Sequence, residues 1–387
     1  MKKERSNQIQ EMIPYLLHWY DYNRRILPWR ESPTPYHVWV SEIMLQQTRV
    51  EAVRGYYDRF LTSLPDIRAL AEASEEKLLK LWEGLGYYNR VRNMQKAAKV
   101  LTEQYKGEMP ADYEVIRSLP GIGDYTAGAI ASIAFGLPYP AVDGNVLRVM
   151  SRITCSEEDI AKEATKRKLN EGLTNVFREK PTRYGDFNQS LMELGATVCL
   201  PNGKPLCDTC PVMHLCQAFH EGRETELPVK SGKKDRRIEK RQVLVLCYEG
   251  RFLLHKREEK GLLSGLWEFP NVLLGEADGV VFRRNKVKKA KHIFSHVEWH
   301  MEGIFVECEK TEGQDIPESQ DGMTDRLIAT VRRWMGHEGD RDGTSEFVFA
   351  TRAQIKEDYS VPSAFSAFLE EVLKPESEEA EEQTRMQ

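Results

Sequence analysis

Between residues 199 and 216 the chain carries four cysteines, Cys199, Cys207, Cys210 and Cys216, with seven, two and five residues between them. Four thiols packed so closely in sequence constrain this region to a compact loop around a metal centre. Tetrahedral zinc and an iron–sulfur cube both take four cysteines, and spacing alone does not separate the two. The chain has seven cysteines in all. An odd count without an export signal is not the pattern of a disulfide framework.

At 387 residues the chain is long enough for two or three cores. Residues 1–220 read as helical, with apolar residues at three- and four-residue spacing in Ile13-Leu16-Leu17-Tyr20 and in Val50-Val53-Tyr57-Phe60. Breakers punctuate them at Pro33-Thr34-Pro35, Gly84-Leu85-Gly86 and Pro120-Gly121-Ile122-Gly123. Residues 221–240 are polar and charged and read as a linker. From Arg241 the pattern turns strand-like: Arg241–Tyr248, a turn at Gly250, then Phe252–His255. These open an α+β domain over 241–374, with a surface insertion at 312–343 and a disordered acidic tail at 375–387.

The N-terminus lacks an apolar h-region, and no run reaches the ~20 apolar residues of a membrane span, so a cytoplasmic chain is expected. Formal net charge is −5. The tail from Pro375 alone holds five Glu against Arg385, so the rest of the chain is near neutral. Such a total neither supports nor excludes DNA as a partner, because distribution counts for more than the sum.

Three further segments carry chemistry. Leu119-Pro120-Gly121-Ile122-Gly123-Asp124-Tyr125-Thr126-Ala127 sets a Gly-x-Gly turn between two helices, at about 115–135. There the backbone can approach a phosphate closely, at a helix N-terminus. Trp39-Val40-Ser41-Glu42-Ile43-Met44-Leu45-Gln46-Gln47-Thr48 places Glu42 one turn from Val38 and Leu45 on an otherwise apolar side. Ala141-Val142-Asp143-Gly144-Asn145 precedes an apolar helix, where Asp143 suits an N-cap as well as catalysis.

In this order, and with the cysteine loop, residues 8–220 resemble the helix–hairpin–helix DNA glycosylase superfamily with an iron–sulfur loop. Glu42 before Leu45-Gln46-Gln47-Thr48, together with Gly84–Arg90 and Leu27-Pro28-Trp29-Arg30, resembles its adenine glycosylase branch, the MutY family. Gly261–Pro270 resembles the Nudix-like domain that this branch appends. The Arg-Glu-x-x-Glu-Glu box of nucleotide hydrolysis is missing, so a second activity is not expected. The spacing of seven residues after Cys199 departs from the six usual in the family.

The resemblance implies two helical lobes with the active site between them, and a 4Fe–4S cluster on Cys199, Cys207, Cys210 and Cys216. It implies a monomeric, nucleoid-associated enzyme excising adenine opposite 8-oxoguanine or guanine in double-stranded DNA. Lysine two positions after Gly123 would make a Schiff-base lyase; Tyr125 there implies a monofunctional enzyme. Glu42 is then the acid and Asp143 the ionised carboxylate, with Tyr125 and Asn145 orienting Asp143 or the water. Trp29, Arg30 and Gln189 line an adenine pocket, Gln47 and Tyr87 fill the vacated base stack, and Gly121, Gly123 and Thr126 bind phosphates. Phe294, Ser295 and His296 read the base opposite. Two rival readings are a glycosylase for oxidised pyrimidines, disfavoured by Tyr125 and Glu42, and an inactive lesion-binding module, disfavoured by Glu42 and Asp143.

Overall fold

A computed structural model describes residues 3–232, 235–258, 261–274, 282, 285–308, 320–336 and 346–374. The acidic tail and both flanks of the 312–343 segment lie outside the described residues. The chain forms two compact units, Met1–Ala73 with Asn89–Lys233, and Ser74–Tyr88 with Lys234–Gln387. Among the described residues no helix is long and apolar enough to cross a membrane.

The first unit is helical: α1 (Lys3–Asn23), α2 (Pro28–Glu31), α3 (Pro35–Leu45), α4 (Val50–Ser63) and α5 (Ile67–Glu72). Helix α6 (Glu75–Trp82) belongs to the second unit, and the first resumes with α7 (Asn89–Tyr105), α8 (Tyr113–Ser118), α9 (Asp124–Phe135) and α10 (Gly144–Ile153). It ends with α11 (Glu163–Glu179), α12 (Tyr184–Thr197) and α13 (Gln217–His220). The helix starts follow side-chain chemistry. Asp66 accepts from the Ala69 amide and Asp112 from the Glu114 amide, each satisfying a first-turn donor that the helix cannot.

Ile13 and Leu16 of α1, Val149 of α10, Phe177 of α11 and Phe187 and Leu191 of α12 share one buried cluster. Each such side chain contributes about 1.5–3 kcal/mol through its removal from water. Gly128 of α9 lies so close to the 136–143 connector that a Cβ there would sit 2.0 Å from the Pro140 carbonyl oxygen. This contact lets the connector fold back along α9 and brings Asp143 beside it.

Most of the expected linker is not free. The Leu227 carbonyl accepts from Arg152 at 2.8 Å and the Val229 carbonyl from the Ile160 amide at 3.0 Å, so this stretch is bound to the first unit.

Among the described residues the second unit is built on a seven-stranded sheet: β1 (Arg237–Tyr248), β2 (Arg251–Lys256), β3 (Trp267–Glu268), β4 (Asn271–Leu273), β5 (Lys286–Ile293), β6 (Val297–Cys308) and β7 (Phe347–Thr351). The main order is β3-β2-β1-β6-β5, with β4 on β1 and β7 on β2. Strands β1 and β6 run parallel in register from Arg237↔Val297 to Tyr248↔Cys308. The turn between β1 and β2 holds Glu249 and Gly250 at φ 49° and 72°.

Val243, Leu244, Val245 and Leu246 are all buried, as a strand covered on both faces requires. Val243 and Val245 face a core with Phe365 and Phe368, from a short 3₁₀ turn (Ser363–Phe365) and α16 (Ser366–Val372). Leu244 and Leu246 face Val331 and Trp334 of α14 (Gln320–Trp334). Helix α15 (Arg352–Glu357) follows β7. A mainly helical region followed by an α+β domain is what the sequence leads one to expect.

Candidate active site

Helix α3 starts at Thr34, whose hydroxyl accepts from the His37 amide, with Pro35 in the first turn. Its residues Val38–Met44 are all buried, Glu42 among them at 7% exposed. At the far end the Arg90 guanidinium donates to the Ile43, Met44 and Gln46 carbonyls at 2.7, 3.2 and 2.7 Å. Those are acceptors a helix C-terminus leaves without partners. The chain then turns sharply, with Gln47 exposed at φ 59°.

The Gly-x-Gly turn behaves as its residues require. Gly121 has φ +78°, and a Cβ there would meet the Asn93 Cβ at 2.7 Å. Gly123 is extended and N-caps α9. Tyr125 follows in the first turn of α9, and its hydroxyl donates to Glu42 Oε2 at 2.5 Å. Tyr125 thus orients Glu42 and not Asp143.

Asp143 N-caps α10, accepting from the Val146 amide at 2.7 Å. Asn145 Nδ2 donates to its other oxygen at 2.8 Å. Arg148 in turn donates to Asn145 Oδ1 at 2.9 Å, to the Gly195 carbonyl at 2.7 Å and to the Cys199 carbonyl at 2.9 Å. A Cβ at Gly195 would sit 2.6 Å from the Asn145 Cβ; only glycine lets α12 close on this pair.

Burial pushes the Glu42 carboxyl up to about 7, and the nearby charge of Asp143 adds to the rise. The Tyr125 hydroxyl and the Arg30 charge oppose it. Asp143 is also raised by burial, against the Val146 amide, Asn145 and Arg148, which favour its ionised form. The sequence reading assigns Asp143 an ordinary ionised state. The opposing hydrogen bonds, not solvent, are what support that state here.

The cysteine loop comes directly after α12. Cys199 leaves the end of that helix, its amide bonded to the Leu194 carbonyl at 2.7 Å. Two 3₁₀ turns, Cys207–Thr209 and Met213–Leu215, lead through Cys210 to Cys216. None of the seven cysteines, all among the described residues, is in a disulfide, and the four clustered ones line one cavity of about 30 Å³ with Val149, Arg152 and Phe219. Arg152 Nη1 lies 3.2 Å from the Cys199 sulfur. Among the described residues no group of three or more His, Cys, Asp or Glu side chains is placed to hold a metal ion. Four thiols ringing one cavity, with a buried guanidinium against one sulfur, fit a group that takes four thiolates.

The sequence profile of the HhH-GPD superfamily base excision DNA repair proteins matches residues 40–175, and that of the NUDIX domain matches 242–371. The adenine DNA glycosylase of Buchnera aphidicola (subsp. Schizaphis graminum) is 33% identical over 303 residues, which cover 75% of this chain and 86% of that protein. The chain belongs to the adenine DNA glycosylase family.

The Arabidopsis thaliana family member is 41% identical over 322 residues, 73% of this chain and 50% of that protein. The Homo sapiens one is 39% identical over 311 residues, 66% and 56%. The chain therefore spans about half the length of these two relatives. Among solved structures, a thermostable thymine-DNA glycosylase matches 56% of this chain and 98% of its own, at 27% identity and a TM-score of 0.50.

The other residues that the family resemblance singles out fall in several places. Arg30 and Gln189 line one cleft of about 370 Å³ with Tyr20, Ser132 and Tyr184. Trp29 is not among its lining residues; it is buried edge-on to Tyr57, ring centres 5.5 Å apart. Thr126 is 2% exposed, so its hydroxyl is not presented to a phosphate. In the second unit Tyr87 is 48% exposed at φ 48°, between Gly86 at φ 68° and buried Tyr88. Ser295 and His296 are exposed in the β5–β6 turn, Ser295 Oγ 2.9 Å from His296 Nδ1. Phe294 instead turns inward, edge-on to Trp299 with centres 4.9 Å apart.

Sequence reasoning named Arg30 but missed Arg25, Arg148 and Glu193. Glu193, buried in α12, takes Arg25 Nε at 2.7 Å and Arg30 Nη2 at 2.9 Å. Its signal was available: like Glu42, it is a lone carboxylate on an apolar helix side, between Leu191 and Leu194.

Proposed function

We propose that this chain is a monofunctional DNA glycosylase that hydrolyses the N-glycosidic bond of adenine mispaired with 8-oxoguanine or guanine in double-stranded DNA. The observation that carries this reading is Glu42: a buried carboxyl, titrating near 7, held by Tyr125 at the position where a lyase needs an amine. A group with that pKa delivers a proton and takes one back near neutral pH.

In this reading Glu42 protonates the departing adenine at N7. Asp143, whose ionised form is favoured by the Val146 amide, Asn145 and Arg148 against the rise that burial causes, stabilises the positive charge that develops on the sugar. Glu42, now deprotonated, then activates water. One protonated and one ionised carboxyl is the logic of retaining glycosidases. The target base must first leave the stack, at a few kcal/mol. Gln47 and Tyr87 suit the vacated space because both are exposed in left-handed backbone, a strained state often kept at functional sites. Gly121 and Gly123 offer backbone to a phosphate.

Cys199, Cys207, Cys210 and Cys216 are proposed to hold a 4Fe–4S cluster. When bound it supplies four metal–thiolate bonds that brace the loop. The chain's own residues link that loop to the site: Arg148 joins the Cys199 carbonyl to Asn145, and Asn145 joins Asp143.

Ser295 is proposed to read the opposite base. 8-Oxoguanine differs from guanine by a hydrogen on N7 and an oxygen on C8, and a hydroxyl both donates and accepts. One hydrogen bond is worth about 0.5–1.5 kcal/mol, or about 2- to 13-fold in rate. Single-turnover rates on duplexes with adenine opposite 8-oxoguanine and opposite guanine test this. Ser295→Ala is expected to shrink the ratio by that factor; equal loss on both duplexes means that Ser295 serves the fold instead.

A further inference from the structure

Segment Ser74–Tyr88 is remote in sequence from the sheet yet belongs to its compact unit, and two of its side chains bond the 355–361 stretch. Lys80, in the last turn of α6, donates from Nζ to the Tyr359 carbonyl at 3.0 Å and lies 3.4 Å from the Ile355 carbonyl. It also pairs with Glu83 at 2.8 Å. Glu83 Oε1 accepts from the Val361 amide at 2.8 Å. Both side chains are about three-quarters buried, where such bonds are screened less than at a surface.

Helix α6 runs straight into the Tyr87 turn. The Leu85 amide bonds the Trp82 carbonyl at 3.1 Å and Trp82 Nε1 donates to the Gly86 carbonyl at 3.1 Å. Gly84, Gly86 and Tyr87 all take left-handed backbone. Tyr87 lies only four positions beyond Glu83, and these bonds leave the stretch between them little freedom.

The packing behind the clamp leads to Ser295. The Ser360 carbonyl accepts from the Trp267 amide at 3.2 Å. Val361 and Phe365 share a core with Trp299. Trp299 meets Phe365 at 6.1 Å and Phe294 at 4.9 Å between ring centres, and Phe294 opens the turn that carries Ser295.

We propose that Lys80 and Glu83 are positioning residues that fasten the Tyr87 turn to the core carrying Ser295, so that wedge and reader meet the mispair as one body. This rests on the roles proposed above for Tyr87 and Ser295. Discrimination of the base opposite adenine then depends on the clamp, although neither residue touches DNA. Packed side chains are a physical route for such coupling, and only a coupling measurement establishes it.

The test uses the full chain in single-turnover excision from the two duplexes. Lys80→Ala and Glu83→Ala are each expected to lower the ratio of 8-oxoguanine to guanine rates severalfold, with the guanine-duplex rate within about twofold of wild type. Lys80→Arg should restore the ratio. In a Tyr87→Ala background the same substitutions should lower it no further. If Glu83→Ala does not fold, Glu83→Gln keeps an acceptor for Val361 while removing the charge that pairs with Lys80. An unchanged ratio in a folded variant, equal loss on both duplexes, or a full additional loss on top of Tyr87→Ala overturns the clamp. Wild type that releases no adenine overturns the functional reading, and wild type without preference overturns the reader role of Ser295; either takes the clamp with it. A wild type with clear preference beside unaffected variants overturns the clamp alone.

Discussion

Glu42 is a carboxyl almost without solvent, and that burial raises its pKa to about 7. In an unfolded chain the same group titrates at its ordinary value, 4.5. The folded pKa is the higher, so this group favours folding most below pH 4.5 and loses that contribution as pH rises through 7. Replacement by Gln removes the charge and keeps an acceptor for Tyr125. Glu42→Gln is therefore expected to be more stable than wild type by about 3 kcal/mol at pH 8 and by under about 1 kcal/mol at pH 5, checked by urea denaturation at both. Excision should move the other way. It needs the protonated acid, so the wild-type rate should fall as pH rises through about 7. Glu42→Gln should lose about 10²–10⁴-fold and show no such limb. A Glu42→Gln variant as active as wild type, or no more stable at pH 8, contradicts the assignment. Glu42 was legible in sequence because one carboxylate stood among apolar residues at helical spacing. Its partner was not: Tyr125 is 83 residues away, and only the packing of α3 on α9 shows which carboxyl its hydroxyl meets.

Whole elements carry the rest of the site, and caps and close approaches set them. Thr34, Asp112 and Asp143 stand where their types suggest, each accepting from amides in a first turn. Arg90 at the end of α3 and Arg148 beside Gly195 were not legible, because an arginine's choice among distant carbonyls leaves no trace in local pattern. The cysteine loop was the clearest element in the sequence. Its prediction is spectroscopic: purified protein should absorb near roughly 400 nm and contain iron, as thiolate-bound clusters do. Cys199→Ser should lose that absorbance, and with it thermal stability and DNA binding together, since Cys199 connects through Arg148 to Asn145. Stoichiometric zinc without iron contradicts the cluster.

At the scale of the molecule, the sequence pattern turns from helical to strand-like near Arg241, and β1 begins at Arg237. Two features escaped that pattern. Residues 221–232 look like a linker by composition, yet the Leu227 and Val229 carbonyls are bound to the first unit. Segment Ser74–Tyr88 has helical spacing like its neighbours, yet it belongs to the compact unit of the sheet and bonds Tyr359 and Val361 there. Truncation at Arg241 therefore removes the partners of Lys80 and Glu83 along with Ser295, and does not isolate the reader. The central proposal concerns the intact chain: buried Glu42, half-buried Asp143 and Tyr125 release adenine without cutting the strand. Its most direct measurement tracks a duplex with one adenine opposite 8-oxoguanine under single turnover, scoring free adenine and strand breaks separately before and after alkali. The account predicts stoichiometric adenine release, strand breaks only after alkali, and no borohydride-trapped adduct. Strand cleavage without alkali, a trapped Schiff base, or release of an oxidised pyrimidine in place of adenine would contradict it.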